Sequence, residues 1–160
     1  MSGVRLHIEV DDRHIQAAIA RLIATGQNPA PIMQDIATYG ENSTRDRFRT
    51  ETAPDGSQWK PNQRGSKTLI DSSRLLDSIV SDSDDDFAAW GTNVIYAAIH
   101  QTGGVIRAKN KPYLVFKAPG GGLRRVKQVT IPARPYLGIN DDDEKNIVNI
   151  VNRHLQEAIR

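Results

Sequence analysis

Histidines are the side chains that most readily trade protons near neutral pH, and this sequence carries four: His7, His14, His100 and His154. No two of them stand four apart, the spacing that sets a pair of imidazoles on one helix face for zinc. His154 and Glu157 lie three apart on a helical pattern, but no further ligand accompanies them. His100 closes a helical pattern just before Gln101-Thr102-Gly103-Gly104 and has no acid beside it, a place suited to fixing a turn. The run Ser81-Asp82-Ser83-Asp84-Asp85-Asp86 has the acids of a calcium loop without its central glycine or distal glutamate, and reads as a solvated turn. Gly120 to Gly122 lacks the lysine, the hydroxyl and the following helix of a phosphate loop. Five serines and threonines between Ser57 and Ser73 form no nucleophile elbow. The absence of cysteine excludes thiol nucleophiles, disulfides and iron–sulfur sites together. The residues therefore predict no enzyme, no metal, no cofactor and no small-molecule substrate.

Charge is the more informative chemistry. The chain has 160 residues with 21 Lys plus Arg against 19 Asp plus Glu, a net charge of +2. Such a total excludes a generally basic nucleic-acid binder, yet it hides segregation. Between Asp71 and Asp86 there are six acids and one base, Arg74. Between Gln101 and Asn140 there are eight bases and no acid: Arg107, Lys109, Lys111, Lys117, Arg124, Arg125, Lys127 and Arg134. Asp141, Asp142, Asp143 and Glu144 follow in a row. Opposed blocks can present one pole to another copy, so Asp82, Asp84, Asp85 and Asp86 and the basic arm are candidate interfaces. Docking on DNA backbone is the alternative use of the arm, salt-steep but not sequence-specific. Tyr113 and Phe116 have opposite strand parity, which predicts that one of them points to the core and argues against a base-stacking platform.

The elements that must position these residues follow from periodicity. Leu6, Ile8 and Val10 alternate with polar residues as in a half-buried strand, and Asp11 or Asp12 offers an N-cap to a helix through Ile15, Ala18, Ile19, Leu22 and Ile23. A second helix starts near Pro31 with Ile32, Ile36, Tyr39 and, at its end, Phe48 inward. Gly40 in its middle predicts close packing or a bend. Residues 51–68 make a long loop, functional or disordered by its length, with Trp59 as a docking point. Leu69 to Ile79 predicts a short helix, Phe87 to Trp90 a strand, and Asn93 to Gln101 a short helix with Ile95, Ala98 and Ile99 inward. Pro112 to Lys117 and Leu123 to Ile131 predict two strands around a glycine loop, a basic hairpin arm over 105–130. Asp141 to Arg160 is the clearest helix, its acids in the first turn and Ile147, Ile150, Val151, Leu155 and Ile159 as its stripe. The expected fold is α+β in one domain, residues 1–160: a small antiparallel sheet against two long N-terminal helices and a C-terminal helix, with long loops. No apolar run reaches a membrane span and no secretory signal opens the chain, which predicts a soluble, cytoplasmically made product without membrane contact.

Four ordered blocks add a resemblance. They are Pro54-Asp55-Gly56-Ser57-Gln58-Trp59, Leu69 with Leu75 and Ile79, Gly91-Thr92-Asn93 leading through Tyr96 to His100-Gln101-Thr102-Gly103-Gly104, and Ile131-Pro132-Ala133-Arg134-Pro135-Tyr136-Leu137-Gly138. Together they resemble the phage virion morphogenesis family, the tail-completion proteins of Mu-like and related tailed phages, over nearly the whole chain. Ser73 stands where relatives often carry glycine, and Thr102 where an aromatic is common. The resemblance implies a non-enzymatic structural protein at the head–tail junction of a virion, made in the bacterial host cytoplasm. It implies a homo-oligomeric ring, a hexamer among the options, meeting other tail, neck or connector proteins. Contact with DNA in the channel is a further option. A ring needs a contact between unlike faces, for which the acidic segment and the basic arm are suitable, with long loops ordering on assembly. Arg134 is expected in an ion pair, either across that interface or with an acid among Asp141 to Asp143.

Overall fold

Apolar spacing in the first third of the chain produces two helices that stack on the last one. In the computed structural model, which describes residues 13–158 and Arg160, α1 spans Arg13–Ala24 and buries Ala18 and Leu22. It stops at Gly26, whose φ of 73° suits a helix end. Helix α2 (Ala30–Thr50) carries Pro31 in its first turn and buries Ile32, Met33, Ile36, Ala37, Gly40, Thr44, Arg47 and Phe48 along one face. Helix α5 (Asp141–Ala158) buries Ile147 and Val151 against that face. The alternating segment Leu6 to Val10, its N-cap Asp11 or Asp12, His7 and Ile159 lie outside the described residues.

Two apolar clusters share α2. One joins α1, α2 and α5 through Ala18, Leu22, Ile32, Met33, Ile36, Ile147 and Val151. The other gathers Phe48, Trp59, Leu75, Ile79, Val94, Ala97, Tyr136 and Leu137. Gly40 sits where the sequence demanded an explanation. A Cβ there would stand 2.2 Å from Trp90 Cδ2, so the glycine admits the indole against the helix.

The α+β expectation holds, with the antiparallel strands arranged as three two-stranded ladders. Strands β1 (Val80–Ser83) and β2 (Ala88–Gly91) pair with Val80 opposite Gly91 and pack on α2. Ser81 Oγ donates to Glu41 on that face, while Val80, Asp82 and Ala89 face away. Strand β3 (Gly104–Arg107) pairs with β6 (Gln128–Ile131), and β4 (Leu114–Lys117) with β5 (Leu123–Val126). The two ladders continue one another as a single arm, with residues 108–113 looping out opposite Lys127 alone. Lys127 O accepts from Ala108 N–H at the junction, 3.1 Å.

Several local expectations change. Leu69 to Ile79 keeps only one helical turn, α3 (Arg74–Asp77), because Leu69 and Ser73 adopt φ of 64° and 56° and interrupt a continuous helix. That conformation at Ser73 is the one glycine adopts most easily. The helix expected from Asn93 is α4 (Ala97–Thr102). Thr92 Oγ1 accepts from Val94 N–H in a turn that resets the phase, so Val94 is buried and Ile95 is 71% exposed. The single strand expected from Leu123 to Ile131 divides at Lys127, and β3 had no expectation. Tyr113 and Phe116 are both exposed, because the arm covers neither of its faces with the helices. The loop after α2 docks through Trp59, which is only 5% exposed, while residues 63–67 stand exposed.

Candidate functional site

Trp59, Tyr136 and Phe48 bring the ordered blocks to one place. The Trp59 ring meets Phe48 edge-on at 5.4 Å, and its indole N–H donates to Pro135 O at 2.8 Å. Tyr136, 1% exposed, packs 5.2 Å from Phe48 and donates its hydroxyl to Ala97 O. Burial pushes that phenol up to about 12. Leu75 and Leu137 complete this cluster.

The segment from Pro132 to Pro135 has little backbone pairing to offer, since proline lacks the N–H. Gln101 replaces it. Its side-chain oxygen accepts from the N–H groups of Tyr136 and Leu137, 3.0 Å each, and its amide nitrogen donates to Leu137 O at 2.8 Å. Gly103, at φ 69°, brings its backbone so close that a Cβ would lie 2.7 Å from Ala133 N, and a Cβ on Gly138 would lie 2.7 Å from Pro54 Cγ. A Cβ on Gly104 would meet Ile99 Cδ1 at the same distance, whereas Gly91 has open space. Asp55 accepts from Ser57 N–H and Oγ, bonds that hold its carboxyl below the ordinary range, and Gly56 completes the turn. Thr92 Oγ1 is 2.6 Å from Ser78 Oγ.

His100 lies beside Arg134 and Tyr96. Its carbonyl accepts from Arg134 N–H at 2.7 Å, and its ring stands edge-on to Tyr96, 5.9 Å between centroids. Burial, then the nearby Arg134 charge, lower its pKa, so the ring is neutral at pH 7. His154 lies 2.7 Å from Asp35, which Arg153 also meets. Among the described residues no group of three His, Asp or Glu is placed to hold a metal ion.

Arg134 corrects the intramolecular reading offered for it, since it pairs with none of Asp141, Asp142 and Asp143. It is 7% exposed, and its guanidinium donates to the carbonyls of Lys60 (2.7 Å) and Pro61 (3.3 Å), tying down the loop after Trp59. The acid it was expected to take belongs to Arg47. Arg47 and Asp143 form a buried ion pair, and Arg47 Nη1 also reaches the carbonyls of Tyr136 (3.0 Å) and Gly138 (2.8 Å). Asp143 further accepts from Tyr39 Oη, Ser43 Oγ and Asn140 N–H. Sequence reasoning missed this hub. The signal available was Asn140 three residues before Asp143, which the structure uses as a reciprocal capping pair.

The charge poles have the opposite character. Arg107, Lys109, Lys111, Lys117, Arg124, Arg125 and Lys127 are all exposed on the arm or its loops, and Asp82, Asp84, Asp85 and Asp86 are exposed on the β1–β2 hairpin. None of these eleven makes an ion pair among the described residues. Between the arm and the loop 62–72 lies an open cleft of about 430 Å³. The loop lines it with Arg64, Lys67 and Asp71, the arm with Phe116 and Lys117, and Tyr96, His100 and Arg134 lie between them.

The chain matches the phage virion morphogenesis family over residues 10–156. It belongs to that family. "Mu-like prophage FluMu G protein 2" of Haemophilus influenzae is 32% identical over 157 residues, 97% of this chain and 99% of the relative. "Putative capsid assembly protein G" of Escherichia phage Mu is 27% identical over 168 residues, 97% of each chain. No solved structure matches. The chain is thus a phage morphogenesis protein related to those of Mu-like phages. Within its four blocks Trp59, Leu75, Ile79, Arg134, Tyr136 and Leu137 are buried, while Asp55 to Gln58 stand exposed.

Proposed function

We propose that this protein is a non-catalytic part of a tailed-phage particle that completes the tail and joins it to the head, working as a homo-oligomeric ring. It is made in the host cytoplasm and incorporated at the head–tail junction, where it meets other tail, neck or connector proteins. Family membership supports the virion role. The single observation that carries the assembly reading is the pair of exposed poles left without ion pairs in one copy. Unlike poles favour a contact between different faces, and such contacts close into rings when the rotation permits. Electron microscopy of particles made without the protein tests this: separate heads and tails, or tails of unregulated length, are expected. Normally joined virions would overturn it.

The exposed cations favour one second reading, in which the arm lies along DNA phosphates. It predicts retention of random duplex that weakens steeply with salt, with a shallower slope for Arg124→Ala/Arg125→Ala. No retention at low salt removes it.

A further inference from the structure

The cleft between the arm and the loop is positive without being obviously filled. Arg64, Lys67, Lys117 and Arg134 line it against one carboxylate, Asp71. Arg64 pairs with Asp71, and Lys67 and Arg134 donate to backbone carbonyls, so Lys117 is the lining cation left without an ion pair among the described residues. Tyr96 and Phe116 give the same cleft aromatic surface, and Phe116 is 36% exposed. An anion with an apolar neighbour is the chemistry that such a lining recognises.

This chain carries a segment of that description. The turn between β1 and β2 is Asp84-Asp85-Asp86-Phe87, closed by Asp84 N–H to Phe87 O at 3.0 Å. All three carboxylates are exposed, and Phe87 is 42% exposed. No ion pair joins the turn to the cleft within one copy. We infer that the cleft is a socket for the acidic turn of a second copy, with Phe87 against Phe116 and Tyr96 and the carboxylates facing Lys117 and Arg64. The inference rests on the self-assembly reading above and gives that contact its residues. The socket adds Arg64, Tyr96 and Phe116 to the cations of the arm, and the turn adds Phe87 to the acids. The contact is directional: turn and socket are different surfaces, so each copy offers one of each.

Sedimentation velocity and native mass spectrometry of the full chain test it, using two variants changed only at exposed positions. The turn variant carries Asp84→Ser, Asp85→Ser, Asp86→Ser and Phe87→Ser, and the socket variant carries Phe116→Ala and Lys117→Ala. Unchanged circular dichroism and melting confirm that both fold. Each alone is expected to associate about tenfold or more weakly than the parent. Mixed together they are expected to form dimers and nothing larger, because only one intact turn and one intact socket meet. If the parent assembles and both variants assemble equally well, the socket is overturned while self-assembly stands. If the parent is monomeric at its solubility limit, self-assembly itself fails, and the socket with it. A socket variant that assembles like the parent but loses salt-sensitive retention of duplex DNA overturns the socket in favour of a DNA-facing arm.

Discussion

Arg47 and Arg124 put the same side chain to opposite uses. Arg47 is 6% exposed and is satisfied by Asp143 and two carbonyls, whereas Arg124 stands exposed on β5 with no ion pair among the described residues. The first belongs to a region where polar groups are matched inside the chain. The second belongs to an arm whose apolar residues are also uncovered: Leu123 is 72% exposed and Val115 55%. An isolated two-stranded ribbon is marginal in water. The contrast shows a chain that completes its own hub and leaves its arm to be completed from outside. Substitutions in the hub should therefore act on folding, and substitutions in the arm on association.

The largest effect is expected at Arg47. Replacing it with Leu strands Asp143 in the interior and should cost about 3–5 kcal/mol in urea unfolding, because a buried charge loses its partner. A cost below about 1 kcal/mol, the range of an exposed pair, would mean that the hub is far wetter than its burial implies. Next comes Gly40→Ala, whose methyl group collides with Trp90 and should cost about 1–3 kcal/mol by overpacking. Combining it with Trp90→Leu should cost less than the two changes summed, since removing the ring relieves the collision. Trp59→Phe loses the indole bond to Pro135 O and should cost about 1–3 kcal/mol, freeing the loop for faster proteolysis.

A smaller effect concerns acid. The folded-state pKa of His100 lies below its ordinary value of 6.5, so the unfolded chain binds the proton first. Its neutral form contributes stability above that value, which is lost as pH falls toward the lower folded pKa. His100→Gln should therefore flatten the fall in melting temperature between pH 7 and the folded pKa; an unchanged slope would show that the imidazole is not held neutral. Smallest in stability is Arg124→Ala/Arg125→Ala, expected within about 0.5 kcal/mol of the parent. A large loss there would end the contrast between hub and arm.

Periodicity made the helices and the arm legible, because burial of one face repeats every three to four residues or every second one. Trp59 was legible as a docking point for the same reason that large aromatics are seldom left in water. The hub was not. Arg47 and Asp143 are 96 residues apart, and nothing in the neighbourhood of either residue names the other. Arg134 was misplaced through the same gap: it was matched by charge to nearby acids, while the fold aims it at the carbonyls of Lys60 and Pro61. Ile95 was misplaced because the turn at Thr92 moves the buried positions back by one residue, to Val94 and Ala97, which no count of apolar positions reveals.

The long separation of the hub's partners also sets an order in time. While the chain is being synthesised, Arg47 and the carbonyls of Tyr136 and Gly138 are made before the carboxylate that binds Arg47. A nascent chain that already displays the whole basic arm therefore still lacks its central ion pair, and α2 cannot be locked to residues 136–143 until the last helix has begun to emerge. The hub is thereby completed only once Asp143 has been made, and until then Arg47 lacks its buried counter-charge.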